Sequence, residues 1–208
     1  MTQHARTLVV GDGGLGFAVL CARAAIEAAG QGGEGPGVWT PEIEDPDRIA
    51  KRSAAASIAA RLGLEVVEDA WRPAESLSGD QTEAEMLLRA GHLAGRLGFD
   101  RVAWSVHPGS PAGGGAREPA SVESVGGVLD RALLITRLIG IGSGADGVTV
   151  DAPIADLTDW QLADLAADLE APIEQCWWWA GRSQAAEAER RRWQAALAEV
   201  GWVGMVGR

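Results

Sequence analysis

Tyrosine is absent from this 208-residue sequence and phenylalanine occurs only twice, yet tryptophan occurs nine times. Lys51 is the single lysine, which removes most chemistry that needs a lysine ammonium or a Schiff base. Two cysteines, Cys21 and Cys176, are too few for a disulfide framework or a four-cysteine zinc site. Positive charge is also short. With 18 Lys+Arg against 29 Asp+Glu the net charge is −11, so the chain would repel a phosphate backbone and no direct nucleic-acid partner is expected. No uninterrupted apolar run reaches the ~18 residues of a membrane helix, and none is expected to span a membrane. Residues 1–6 lack a charged start leading into a long apolar stretch, so no secretory signal is read and the expected location is the cytoplasm.

What is present suits a folded domain: 47% of residues are hydrophobic and 23% charged. Apolar bursts at 6–10, 38–39, 64–67, 101–106 and 148–150 read as strands. Helical patterns follow them at 15–29, 45–62, 82–98, 121–140 and 158–169, and a last helix starts at Ser183. Asp45-Pro46 reads as an N-cap with a proline at the first helical position. Thr82 with Glu85, and Thr158 with Gln161, read as capping boxes. In the fourth helix Val125, Val128, Leu129, Ala132 and Leu133 carry the apolar period. Strand–helix alternation of this kind predicts an α/β fold, a three-layer parallel sheet of about five strands. Residues 1–170 form the nucleotide-binding-like part, and 171–208 a Trp-rich helical segment packed on it. Ligands of such sheets gather beyond the carboxyl ends of the strands, here the loops 11–16, 37–47, 70–82, 107–120 and 151–158.

The first of those loops, Gly11-Asp12-Gly13-Gly14-Leu15-Gly16, is the candidate cofactor-binding element. Gly11, Gly13 and Gly16 satisfy G-x-G-x-x-G between a strand and a helix, where backbone N–H groups could approach a pyrophosphate. An NAD- or FAD-type site would also need an acidic residue at the end of the second strand. Glu34 falls in a glycine loop instead, and Glu42 and Glu44 come late. A tight turn without a ligand is the plainer alternative.

The segment Asp12-Gly13-Gly14-Leu15-Gly16-Phe17 also resembles the Ser-Gly-Gly-x-Asp-Ser loop of PP-loop ATP pyrophosphatases. The resemblance extends over "RIAKRSAAASIAARLGL", "AGRLGFDRVAW" and "DAPIADLTDWQLADLAADL", and with Gln175-Cys176-Trp177 it is greatest for the 7-cyano-7-deazaguanine synthase branch. It implies an adenine nucleotide alpha hydrolase-like, Rossmann-like fold. It also implies ATP-dependent carbon–nitrogen ligation in queuosine-type metabolism, with magnesium and a zinc-binding cysteine cluster. The sequence departs from the family at each of those chemical positions. Asp12 stands for the phosphate-holding serine, Gly16 for the magnesium-associated aspartate and Phe17 for the last serine. Thr82 and Glu83 stand where an Arg-Asn pair belongs, and Cys176 alone matches a zinc cysteine, so zinc is expected to be lost. The expectation is therefore a catalytically impaired relative that binds a nucleotide or a partner protein, with an active ligase as the alternative.

Among other candidates, His107 follows the fourth strand and reads either as a general acid–base or as a turn residue. His4 and His92 are weaker. Asp151 and Asp156 flank Ala152-Pro153 and could hold a cation or a ribose, or simply form a turn. Cys21 reads as a core thiol, and the run 187–192 as a solvated helix face. Trp177-Trp178-Trp179 cannot all enter one side of a core. A subunit contact, giving a homodimer, a staple within the fold, and a ligand-stacking surface are the readings left open.

Overall fold

The computed structural model describes residues 6–30, 35–72, 79–109, 114–143, 147–202 and 204. His4, Glu34 and parts of the loops at 70–82 and 107–120 lie outside those residues. Five strands, β1 (Thr7–Val10), β2 (Gly37–Trp39), β3 (Glu65–Val66), β4 (Arg101–Trp104) and β5 (Thr149–Asp151), form one sheet in the order 3-2-1-4-5. Every pairing is parallel. The order is that of the first five strands of a doubly wound Rossmann sheet, whose direction of winding reverses between β1 and β4. The expected three-layer α/β architecture is therefore the one observed.

Six helices flank the sheet: α1 (Leu15–Ala29), α2 (Arg48–Leu62), α3 (Gly79–Leu97), α4 (Val122–Ser143), α5 (Asp159–Asp168) and α6 (Gln184–Glu199). Side-chain alternation divides the interior into two cores. Val9, Val38 and Ala103 face a core shared with α1, α2, α5 and α6. Leu8, Val10, Val102 and Val150 face the opposite core, built with α3 and α4. All four residues of β1 are buried, as a central parallel strand covered on both faces requires.

Local signals were read correctly at some helix ends and not at others. Thr158 and Gln161 form both bonds of the expected capping box, with the Thr158 hydroxyl accepting the Gln161 N–H at 3.1 Å. Ser183 caps α6 by accepting the Ala186 N–H at 3.0 Å. Thr82 and Glu85, however, lie inside α3, which begins at Gly79 and so leaves no terminus for them to cap. Asp45-Pro46 sits in a turn before α2, whose N-cap position is Asp47, and the Asp45 carboxylate accepts the Asp47 N–H at 2.7 Å. In α4 the inward face is Ala132, Ile135 and Ile139, whereas Leu129 and Leu133 point to solvent.

The Thr158 cap fixes the start of α5, which carries a buried acid at Asp159. Thr158→Ala should cost about 1 kcal/mol and lower the thermal midpoint by about 2–4 °C, read by circular dichroism melting.

Candidate functional site

Beyond the carboxyl ends of β1 and β4 the glycines of the first loop are packed without room for a Cβ. A Cβ on Gly11 would meet the Ser105 hydroxyl at 2.0 Å, and one on Gly16 would meet the Ser105 carbonyl at 2.9 Å. Gly13 has φ +79°, and a Cβ there would press on the α2 backbone, 2.8 Å from the Lys51 carbonyl. These glycines are thus explained by the approach of α1 to β4 and α2.

The N-terminus of α1 offers unpaired N–H groups and the positive end of the helix. Asp12 meets it from within the chain: its carboxylate accepts the Gly14 N–H at 3.0 Å. Its other oxygen lies 3.7 Å from the Lys51 ammonium, which in turn donates to Asp45 at 2.9 Å. The ammonium also sits 4.6 Å above the Trp177 ring. Surrounding protein raises the Asp12 carboxyl above its ordinary value, while Lys51 and the Gly14 N–H oppose that rise. Half of the Asp12 side chain still meets solvent, which limits the desolvation.

The C-terminal tryptophans cover this loop. The Trp177 N–H donates to the Gly13 carbonyl at 3.1 Å, and its indole nitrogen lies 3.4 Å from where a Gly14 Cβ would stand. Trp177 and Trp178 are buried, and Trp179 donates its indole N–H to the Ile173 carbonyl at 2.9 Å. Trp178 stacks on Trp193 of α6 with ring centres 6.2 Å apart. The run turns through a short 3-10 helix, Trp177–Trp179, which is how three consecutive indoles reach three surroundings. It staples the chain to itself. The subunit contact considered for this run would have no exposed indole at 177 or 178.

On the other side of the reversal point, His107 is not a free loop residue. Its Nε2 lies 2.9 Å from Asp159 and its Nδ1 3.2 Å from the Ile154 carbonyl. Both partners are acceptors, so a neutral ring satisfies one bond and an imidazolium satisfies both. Arg192 grips the same carboxylate through Nε and Nη2, both at 2.7 Å, and reaches Glu189 at 3.3 Å. Glu189 accepts the Trp193 indole N–H at 2.7 Å. Gly109, at φ +75°, has no room for a Cβ because the Arg192 guanidinium lies against it. Burial disfavours the Asp159 carboxylate, but hydrogen bonds from Arg192 and His107 outweigh it and hold the group well below the usual carboxylate range.

The 187–192 run is therefore not a plain solvated face. Glu187 and Arg191 are exposed, while Glu189, Arg190 and Arg192 turn inward, and Arg190 donates to the Trp178 and Gly181 carbonyls. Asp47 ties α2 to the start of α6 by accepting from Ser183 and from the Arg182 N–H. Sequence reasoning found His107 but missed Asp159, Glu189 and Arg192. The one available signal was an acid directly after the Thr158 cap that faces inward.

Other candidates lie apart. Asp151 ends β5 and accepts from Arg101 at 2.6 and 2.9 Å, an ion pair across the β4–β5 edge. Asp156 is exposed. Glu42 pairs with Arg72, and the residue that ends β2 is Trp39, fully buried, not an acid. Cys21 and Cys176 are free, buried thiols, and burial pushes both well above their ordinary values. His92 lies within α3.

No protein-family model matches the chain, and no curated protein sequence matches it. Among solved structures it is similar to the U34-tRNA thiolase NcsA from Methanococcus maripaludis, which was solved with its [4Fe-4S] cluster. The identity is 10% and the TM-score 0.48, over 96% of this chain and 71% of that one.

Asp159→Asn should leave Arg192 and His107 without their counter-charge and cost about 3–5 kcal/mol at neutral pH, measured by urea unfolding. Because the native carboxyl is held below the ordinary value of 3.8, its stabilisation is complete above that value and is lost as pH falls below it. The variant should accordingly lose part of the wild-type acid sensitivity, to which Asp47 and Asp69, also held low, contribute as well.

Proposed function

We propose that this chain is a PP-loop-type protein, of 7-cyano-7-deazaguanine synthase-like descent, that acts by binding a partner and not by ATP-dependent ligation. The observation that carries this reading is the Asp12 carboxylate on the Gly14 N–H, with the Trp177 backbone closed over Gly13. An anion-binding helix terminus is useful to ATP when its N–H groups are free and its surroundings are neutral or positive. Here a carboxylate already takes one of those donors. A phosphate about 4 Å from it would be repelled by roughly 4 kcal/mol at an effective dielectric of 20.

The groups that the resemblance implies do not fit the residues present. ATP and magnesium would need polar or acidic side chains at Gly16 and Phe17, where a glycine pressed on Ser105 and a buried phenylalanine stand instead. Zinc would need thiolates. The Cys176 thiol is buried and kept protonated by desolvation and by the nearby Asp12 and Glu174 carboxylates. A dinucleotide reading through Gly11, Gly13 and Gly16 meets Trp39 where a ribose-binding acid belongs.

His107 does not supply a general base under this reading. Its side chain is 5% exposed and both ring nitrogens already face acceptors. A buried ring held between two acceptors fixes loops in place better than it shuttles protons.

Thermal-shift measurements with ATP, AMP, NAD and FAD, each with and without magnesium, test the proposal directly. No stabilisation is expected from any of them. A ligand at 100 times its Kd would instead add about 2.7 kcal/mol. Conversion of ATP to AMP and pyrophosphate by the purified chain, abolished by Gly13→Val, would overturn it.

A further inference from the structure

Helix α4 carries apolar side chains that none of the described residues covers. Val122 is 89% exposed, Ile141 83%, Leu134 57%, Leu138 53%, and Leu129 and Leu133 48% each. At about 3.6 residues per turn Val122, Leu129 and Leu133 line one stripe, and Leu134, Leu138 and Ile141 a second, with Glu123, Asp130 and Arg137 running along the edge of the first. Val122, Gly126, Leu129 and Leu133 fall at the alternating four- and three-residue steps of a helix-pairing seam, which Gly140 rejoins seven residues on, past Thr136.

The glycines sharpen the point. A glycine inside a helix costs about 0.5–1 kcal/mol relative to alanine. Gly91 of α3 has an intrachain reason, since a Cβ there would strike Ile139 at 2.0 Å. Gly126, Gly127 and Gly140 have none: a Cβ on any of them would meet open space. Glycines on a seam admit the close approach of another helix.

No segment of this sequence can be that helix, because the undescribed runs are six residues or shorter and α4 is 22 residues long, roughly 33 Å. The charges select a second copy. Glu123, Asp130 and Arg137 recur every seventh residue along one flank of the seam, all exposed and without an ion pair among the described residues. In an antiparallel pair related by a two-fold axis, each flank lies against the same flank of the other helix. Glu123 of one copy then faces Arg137 of the other, twice, and the two Asp130 carboxylates meet near the axis. Two attractions stand against one repulsion.

We propose that α4 is the interface of a homodimer in which two copies pair antiparallel along Val122, Gly126, Leu129 and Leu133. This stands apart from the function proposed above, since the sheet's carboxyl edge takes no part in it. Sedimentation velocity on the full chain between about 1 and 100 μM tests it, with circular dichroism melting as the control for folding. Wild type should show a concentration-dependent monomer–dimer equilibrium, and Leu133→Asp should abolish it. Glu123→Arg should weaken it by about tenfold or more, and Glu123→Arg combined with Arg137→Glu should restore it. Asp130→Asn should tighten it. A wild type that stays monomeric at 100 μM would overturn the proposal and leave the face to a different partner. So would a Leu133→Asp variant that still dimerises, or a double charge reversal that fails to restore pairing.

Discussion

The closure of the α1 N-terminus by Asp12 governs the geometry around the sheet's carboxyl edge. A helix start there exposes N–H groups with no internal partner, and some anion or acceptor must meet them. Asp12 does so at short range, and that choice has consequences. Its charge is balanced by Lys51 on α2, so the only lysine in the sequence is placed by electrostatics and not by chance. Lys51 in turn lies over Trp177, and Trp177 donates its backbone N–H to the same loop. Loop, helix and C-terminal segment are thus locked by one chain of contacts.

The C-terminal segment holds the other side of the reversal point as well. Arg192 and Trp193 of α6 reach the loop after β4 through Asp159, His107 and Gly109. A buried ion pair of this sort pays little net stability, because removing charges from water cancels most of the attraction. What it gives is position. Two acceptors fix the His107 ring, and the two-pronged Arg192 contact fixes where α6 may lie. The same segment therefore clamps β1's loop with tryptophan and β4's loop with charge, across the crevice where a doubly wound sheet usually takes its ligand.

How much of this was legible depends on whether the signal is local. Strand–helix alternation, the glycine turn, the Thr158–Gln161 box and the Ser183 cap are set by neighbours a few residues apart, and the structure shows them all. The Thr82–Glu85 pattern misled because α3 continues a turn further back, and a capping sequence inside a helix caps nothing. His107 could be placed at the sheet edge from sequence, but Asp159 lies 52 residues on and Arg192 33 beyond that. No periodicity encodes such pairings. The tryptophan run was legible as a steric problem and not as a solution, since a 3-10 turn distributes side chains differently from either a strand or an α-helix.

The α4 leucines show the same limit from the opposite direction. Leu129 and Leu133 carry the apolar period on which the helix was recognised, yet the core takes Ala132, Ile135 and Ile139. Two apolar stripes share one helix, and periodicity alone cannot say which of them meets the sheet. The neighbours do: where α4 lies against β5 and α3, Ala132, Ile135 and Ile139 turn inward, with Gly91 left bare to admit Ile139, while Leu129 and Leu133 stay on the outer side. Helix α4 thus has one face committed to the sheet and, beside open glycines, further apolar side chains that the described residues leave exposed.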